Sequence, residues 1–208
     1  MCHELDRRQV THLQCALCRT VQPLAADCVA CGTSFGRYSC LECRFFDDDV
    51  SKQQFHCAPC GICRVGGRDN YFHCNTCGCC YSKSIQRSHT CVERSMHQDC
   101  PVCLEFLFDS IRPITVMHCG HTIHEACLQG LFAHSQLTCP TCLRSVCDMS
   151  AAWARLELEI AQTPMPLEYA AMRCALLCND CGAKGEVPLH VLGMKCAGGC
   201  GSYNTQRM

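Results

Sequence analysis

A chain of 208 residues has room for one or two ordinary domains, but its 27 cysteines and 11 histidines lie far above normal usage and point to cross-links. A net charge of −1 with a pI near 6.8 offers no basic patch of the size that nucleic-acid binding requires, so no nucleic acid is expected as a partner. No apolar run approaches the roughly 18 residues of a membrane span, so the expectation is a soluble protein, off the membrane, in a reducing compartment such as cytoplasm or nucleus.

Disulfides and metal compete to explain the cysteines. The opening MCHELDRRQV lacks the apolar segment of a secretion signal, the cysteine count is odd, and the cysteines recur in C-x2-C pairs with histidine interleaved. That is how tetrahedral zinc is usually assembled. The hydrophobic fraction of 48% includes cysteine, and there is one Trp, so several zinc ions are expected to carry much of the folding.

Ligand spacing divides the chain better than hydrophobic periodicity does. The first block holds Cys15-x2-Cys18, Cys28-x2-Cys31 and Cys40-x2-Cys43. Cys28, Cys31, Cys40 and Cys43 can close one site, which leaves Cys15 and Cys18 to find ligands at Cys2 and His3. The second block offers His56, Cys57, Cys60, Cys63, His73, Cys74, Cys77, Cys80, His89 and Cys91, in which Phe-His-Cys repeats after 17 residues. Ten ligands do not divide into fours, so some are shared with the first block or spare.

The third block reads C-P-V-C, fifteen residues, C-G-H-T-I-H-E-A-C, eleven residues, C-P-T-C over residues 100–142. Eight ordered ligands at this spacing are highly specific, whereas a single C-x2-C means little. After it, Ser150 is expected to cap a helix over AAWARLELEIAQ with Trp153, Leu156 and Ile160 on one face, stopped by Pro164 and Pro166. Cys178-x2-Cys181 and Cys196-x3-Cys200 then read as a small zinc ribbon, with Val187, Leu189 and Val191 alternating along a strand and Gly198 and Gly199 closing the wider knuckle.

Residues 100–142 resemble a RING-H2 finger. The resemblance implies a cross-brace in which Cys100, Cys103, His124 and Cys127 hold one zinc and Cys119, His121, Cys139 and Cys142 the other. Both sites are closed, so the zinc is structural and no catalytic residue is expected. The same resemblance implies an E2-binding surface at Val102, Leu131 and Pro140, with the E2 carrying the ubiquitin thioester and the RING orienting it. Many RING ligases grip ubiquitin with an Arg immediately after the last ligand. Leu143 occupies that position, with Arg144 one place later.

FHCAPCGICRVG, FHCNTC, AQTPMPLEY, CNDC and LGMKC followed by SYNT are similar, in that order, to stretches of the RING and CHY zinc-finger ubiquitin ligases. That likeness implies a partial CHY-type finger at residues 1–48, a CTCHY-type finger at 49–92, the RING at 98–146, a linker helix at 150–162 and the ribbon at 172–208. The fold class expected is an array of small zinc-stabilised modules with little regular secondary structure. Two zinc ions are expected in the RING, one in the ribbon and about four in the N-terminal fingers. Partners implied are an E2, ubiquitin and protein substrates destined for the proteasome. The family's CHY module opens with a longer ligand-rich segment, so the first finger is expected to be incomplete or rebuilt around Cys2 and His3. The alternatives are a zinc adaptor that stimulates no E2 and an iron or redox sensor built on the same thiolates.

Cys79, Cys147 and Cys174 fall outside every ligand pattern and read as small buried hydrophobes. His12, His97, His118 and His134 are expected at the surface and His190 in the ribbon strand. Asn179 and Asp180 are expected to shape the turn of their own knuckle.

Overall fold

The computed structural model describes residues 6–208, so Cys2 and His3 lie outside the described residues. The described residues form an array of small zinc-stabilised modules: strands of three to six residues, two α-helices, four short 3-10 turns and tight Cys/His clusters. It forms two compact units. One runs up to Ser88 and adds Glu93–His97 and Phe108–Arg112; the other has His89–Val92, Gln98–Leu107 and Pro113–Met208. Among the described residues no helix is long and apolar enough to cross a membrane.

In the first unit, strands β1 (His12–Gln14) and β2 (Val21–Pro23) form a hairpin around Cys15 and Cys18. The side chain of Gln22, 2% exposed, is bonded at both polar ends: its amide donates to the Asp27 carbonyl at 2.9 Å and its oxygen accepts from Val29 N at 2.8 Å. Three further hairpins follow in series. They are β3 (Tyr38–Cys40) with β4 (Phe45–Asp47), β5 (Phe55–Cys57) with β6 (Ile62–Arg64), and β7 (Tyr71–Cys74) with β8 (Cys79–Ser82). Phe55, Cys57 and Cys80 form a small core with Tyr71 packed against it, the Phe55 and Tyr71 rings 5.7 Å apart.

One backbone device recurs at the C-x2-C turns. The first cysteine's carbonyl accepts from the amide four residues on, as in Arg19 N to Cys15 O at 2.9 Å, Leu104 N to Cys100 O at 2.9 Å and Leu143 N to Cys139 O at 2.8 Å. This curls the turn so that both thiols face inward. The fourth residue must then be left-handed: Gly32, Gly61, Gly78 and Gly182 fill it without strain, whereas Arg19, Leu104 and Leu143 adopt φ of 63°, 60° and 62°. A side chain there costs roughly 1–2 kcal/mol.

In the second unit, β9 (Ile114–Val116) and β10 (Thr122–His124) pair antiparallel and lead into α1 (Glu125–Ala133). Leu107, Thr122, Ile123 and His124 are completely buried and form the small core under the zinc loops. Leu107→Ala is expected to destabilise the zinc-loaded protein by about 2–5 kcal/mol, the usual cost of truncating a buried leucine, read as a lower urea midpoint at unchanged zinc content.

Helix α2 (Ser150–Gln162) begins at Ser150, but Ser150 is its first helical residue and not its cap. Met149 holds the cap position without a side-chain bond, and the Asp148 carboxylate accepts from Ser150 N at 2.9 Å. Trp153, Leu156 and Ile160 are half-buried along one face. The ribbon sheet has the order β12 (Lys184–Pro188), β11 (Arg173–Cys178), β13 (Thr205–Arg207). The expected strand through Val187, Leu189 and Val191 is therefore misplaced: it stops at Pro188, and Val191 is exposed. His190 lies past the strand and is held there, its Nε2 2.8 Å from the Thr163 carbonyl and its Nδ1 accepting from Leu192 N at 3.2 Å.

Candidate metal centres and RING surface

Among the described residues every cysteine is free, and most of their sulfurs gather into groups of four ligand atoms, some all-cysteine and some with a histidine nitrogen. The spacing decides between disulfide and metal. A tetrahedral zinc sets its ligand sulfurs about 3.8 Å apart and sulfur and nitrogen about 3.6 Å apart, against about 2.05 Å for a disulfide. Cys15 and Cys31 Sγ lie 3.7 Å apart, Cys18 and Cys28 3.5 Å, Cys178 and Cys200 3.7 Å, and Cys181 and Cys196 3.4 Å. The sites fit a tetrahedral ion of zinc's size and ligand preference.

The first finger differs from the sequence reading. Cys15 and Cys18 meet Cys28 and Cys31, so they do not depend on Cys2 and His3, and Cys28 and Cys31 do not pair with Cys40 and Cys43. Two knuckles ten residues apart face each other across the short segment around the buried Gln22. The Thr20 hydroxyl lies 3.2 Å from Cys18 Sγ and the Thr33 hydroxyl 3.4 Å from Cys31 Sγ. They hold Cys18 down to about 6 and lower Cys31 as well, which favours the thiolate form that binds metal.

Cys40 and Cys43 instead meet His56 and Cys63, and Cys57 and Cys60 meet His73 and Cys80. The strand geometry explains the choice. His56 and Cys57 are neighbours in β5, so their side chains project to opposite faces and cannot serve one ion. His56 stands directly opposite Cys63 in the β5–β6 register, and His73 directly opposite Cys80 in β7–β8, which makes each such pair a ready half-site. His56 Nδ1 is 3.3 Å from Cys43 Sγ and His73 Nδ1 3.3 Å from Cys60 Sγ. Glu42 Oε2 reaches within 2.8 Å of His56 Nε2, ion-pair distance without hydrogen-bond alignment, and so backs the ligand from behind. Cys74 and Cys77 flank the turn of β7–β8, and His89 Nε2 lies 3.2 Å from Cys91 Sγ.

In the RING stretch Cys100, Cys103, His124 and Cys127 gather, with His124 Nδ1 3.3 Å from Cys103 Sγ. Cys119 and Cys139 Sγ lie 3.4 and 3.7 Å from His121 Nδ1, and Cys142 adjoins Cys119. The interleaving is a cross-brace. Gly120 between two ligands admits no side chain: its φ is +90°, and a Cβ would stand 2.4 Å from Val92 Cγ2. In the ribbon, the wider knuckle closes because Gly199 is left-handed at φ +81° and Gly198 lets the backbone approach, a Cβ there standing 2.5 Å from that of Ala183.

A ring finger domain family model matches residues 98–143, and a zinc-ribbon model matches 147–206, taking in α2. The chain is 50% identical over 205 residues to the E3 ubiquitin-protein ligase RZFP34 of Arabidopsis thaliana, covering 99% of this chain and 70% of that protein. It is 46% identical over 206 residues to the E3 ubiquitin-protein ligase SRFP1 of Oryza sativa, covering 99% and 78%. The chain belongs to this family of RING zinc-finger E3 ubiquitin-protein ligases. The Zinc finger protein BRUTUS of Arabidopsis thaliana is 40% identical over 210 residues, covering 98% of this chain but 16% of that protein.

On the RING of this ligase-family chain, Val102 is 43% exposed, Pro140 and Arg144 are exposed, and Leu131 is half-buried near the end of α1. Leu104 and Phe106, unmarked by the sequence reading, are also exposed on the first zinc loop. Cys79 is fully buried and its thiol is pushed up to about 12 by that burial, the opposite of an activated nucleophile. Cys147 and Cys174, expected to be buried like Cys79, are only half-buried and lie against the sulfurs of Met149 and Met194 at 3.7 and 3.0 Å. His12, His118 and His134 are exposed, whereas His97 is half-buried, stacked on Phe108 with ring centroids 4.2 Å apart. Asp180 also departs from expectation. Its carboxylate accepts from Ser145 N at 2.7 Å and Ser202 Oγ at 2.5 Å, reaching beyond its own knuckle turn.

Proposed function

We propose that this chain acts as a RING-type E3 ubiquitin ligase that binds a ubiquitin-charged E2 through Val102, Leu131 and Pro140 and speeds transfer to a lysine of a bound protein substrate. The observation that carries this reading is the cross-braced pair of closed four-ligand clusters at residues 100–142, with exposed apolar side chains on the flanking loops. Closed sites leave no position for an activated water, and Cys79, which lies outside every ligand set, is buried with its thiol pushed up, not activated. What the RING can supply is orientation, which converts a floppy thioester conjugate into one held for attack. Arg144, exposed beside the last ligand, is our candidate for the contact to ubiquitin.

The ligand sets support seven zinc ions. Two lie in the RING, one is held by Cys178, Cys181, Cys196 and Cys200, and three are held by the N-terminal sets grouped above. Cys74, Cys77, His89 and Cys91 remain as a fourth N-terminal set. We assign the CHY-like fingers and ribbon to holding substrates for proteasomal turnover, in cytoplasm or nucleus.

The test is reconstitution with E1, ubiquitin, ATP and a panel of E2 enzymes, comparing wild type with Val102→Ala. The variant is expected to keep its zinc and melting profile while E2-dependent discharge falls on the order of tenfold, as one apolar anchor of an interface is truncated. A folded, zinc-replete wild-type protein inert with every E2 would turn the reading toward an adaptor.

A further inference from the structure

The loop that leaves the RING, Leu143 to Ser145, is gripped from outside the RING. Asn204 Nδ2, from the ribbon, donates to the Leu143 carbonyl at 2.7 Å and lies 3.4 Å from Ser145 Oγ. Asp180, in the ribbon's first knuckle, accepts from Ser145 N at 2.7 Å and Ser145 Oγ at 3.2 Å. The two ribbon residues are tied to each other, Asn204 Nδ2 to Asp180 Oδ1 at 3.2 Å, and are braced from behind. Asn179 Nδ2 donates to Asn204 Oδ1 at 2.9 Å, and Ser202 Oγ, 1% exposed, donates to Asp180 Oδ2 at 2.5 Å. Arg144 is thus the single residue between two fixed points, the carbonyl before it and the amide after it.

We infer that the zinc ribbon is a positioning module for the RING, in which Asp180 and Asn204 hold the 143–145 loop so that Arg144 is presented to the ubiquitin carried by the E2. This rests on the E3 reading above. Hydrogen bonds to a carboxylate are stronger than neutral ones and make a firm anchor. A loop fixed before the partner arrives spends less of the binding energy on its own ordering. The internal knuckle bonds, Leu143 N to Cys139 O at 2.8 Å and Cys139 N to Arg144 O at 2.7 Å, set the turn, and the ribbon sets what lies on either side of the arginine. Neither Asp180 nor Asn204 touches ubiquitin in this scheme; both act through Arg144.

The full chain carrying Asn204→Asp tests this. The side chain keeps its size, loses its donor and places a second carboxylate beside Asp180. Asn204→Ala serves as the second variant, should repulsion unfold the first. Zinc content by native mass spectrometry and E2 affinity by calorimetry are expected to match wild type, while single-turnover discharge from the E2 falls on the order of tenfold. Adding Arg144→Ala to either variant should lower discharge no further than Arg144→Ala alone, a non-additivity that a merely structural role would not produce. Full discharge by a variant whose wild-type parent is active and Val102-dependent overturns the positioning role and leaves the ligase reading intact. An additive loss with Arg144→Ala overturns it too. A wild type inert with every E2 fails the ligase reading itself.

Discussion

Stripping zinc from the folded protein with excess chelator at neutral pH is expected to unfold it, with near-UV circular dichroism and NMR dispersion lost together and regained on adding zinc. The magnitudes leave little choice. Each structural zinc contributes on the order of 10–16 kcal/mol of apparent binding energy, against a net stability of about 5–15 kcal/mol for a whole domain. The apolar cores that remain are slight: little more than Phe55, Tyr81 and Met96 in one unit, and Leu107, Met117, Ile123, Val146 and Leu176 in the other. Acid should act like the chelator, because thiolates and neutral imidazoles bind the metal and protons compete for both. Stability is therefore present at neutral pH and lost as the pH falls. A spectrum that stays dispersed after metal analysis finds no zinc would refute the claim that metal carries the fold.

Cys119→Ser is expected to abolish E2-dependent discharge and to leave the chain one zinc short by native mass spectrometry. A serine hydroxyl stays protonated at neutral pH and is a poor zinc ligand, so the cluster of Cys119, His121, Cys139 and Cys142 loses a corner. That cluster ties the β9–β10 hairpin to the loop carrying Pro140 and Arg144, so its loss frees both proposed contact regions at once. Val102→Ala provides the contrast: its activity falls with every zinc retained. Wild-type discharge from Cys119→Ser protein lacking one zinc would show that the second RING site is dispensable.

The RING was legible residue by residue because its eight ligands fall at spacings that few other arrangements share. The N-terminal pairing was not, because a C-x2-C knuckle carries no mark of its partner. The decisive signal was nonetheless in the chain: His-Cys neighbours in a strand face opposite ways, so His56 and Cys57, and His73 and Cys74, had to serve different ions. The repeat of 17 residues also runs back to Cys40 and Cys43, one hairpin earlier than the Phe-His-Cys motif suggests. The helix over AAWARLELEIAQ was readable from its face, but its cap was not, since Asp148 and Ser150 are equally plausible capping residues. The roles of Asp180 and Asn204 could not be read at all, because they depend on contacts between residues 35 and 61 positions apart.

The opposed faces of β5 and β7 have a further effect on how metal is acquired. The hairpin β5–β6 gives His56 and Cys63 to one ion and Cys57 and Cys60 to the next, so no ion in residues 38–82 belongs to a hairpin alone. Each occupied site pre-forms half of its neighbour, and the stretch behaves as a one-dimensional array with nearest-neighbour coupling. Loading is then a propagating event: chains with these sites all filled or all empty should dominate a titration, and partly charged ones should be scarce.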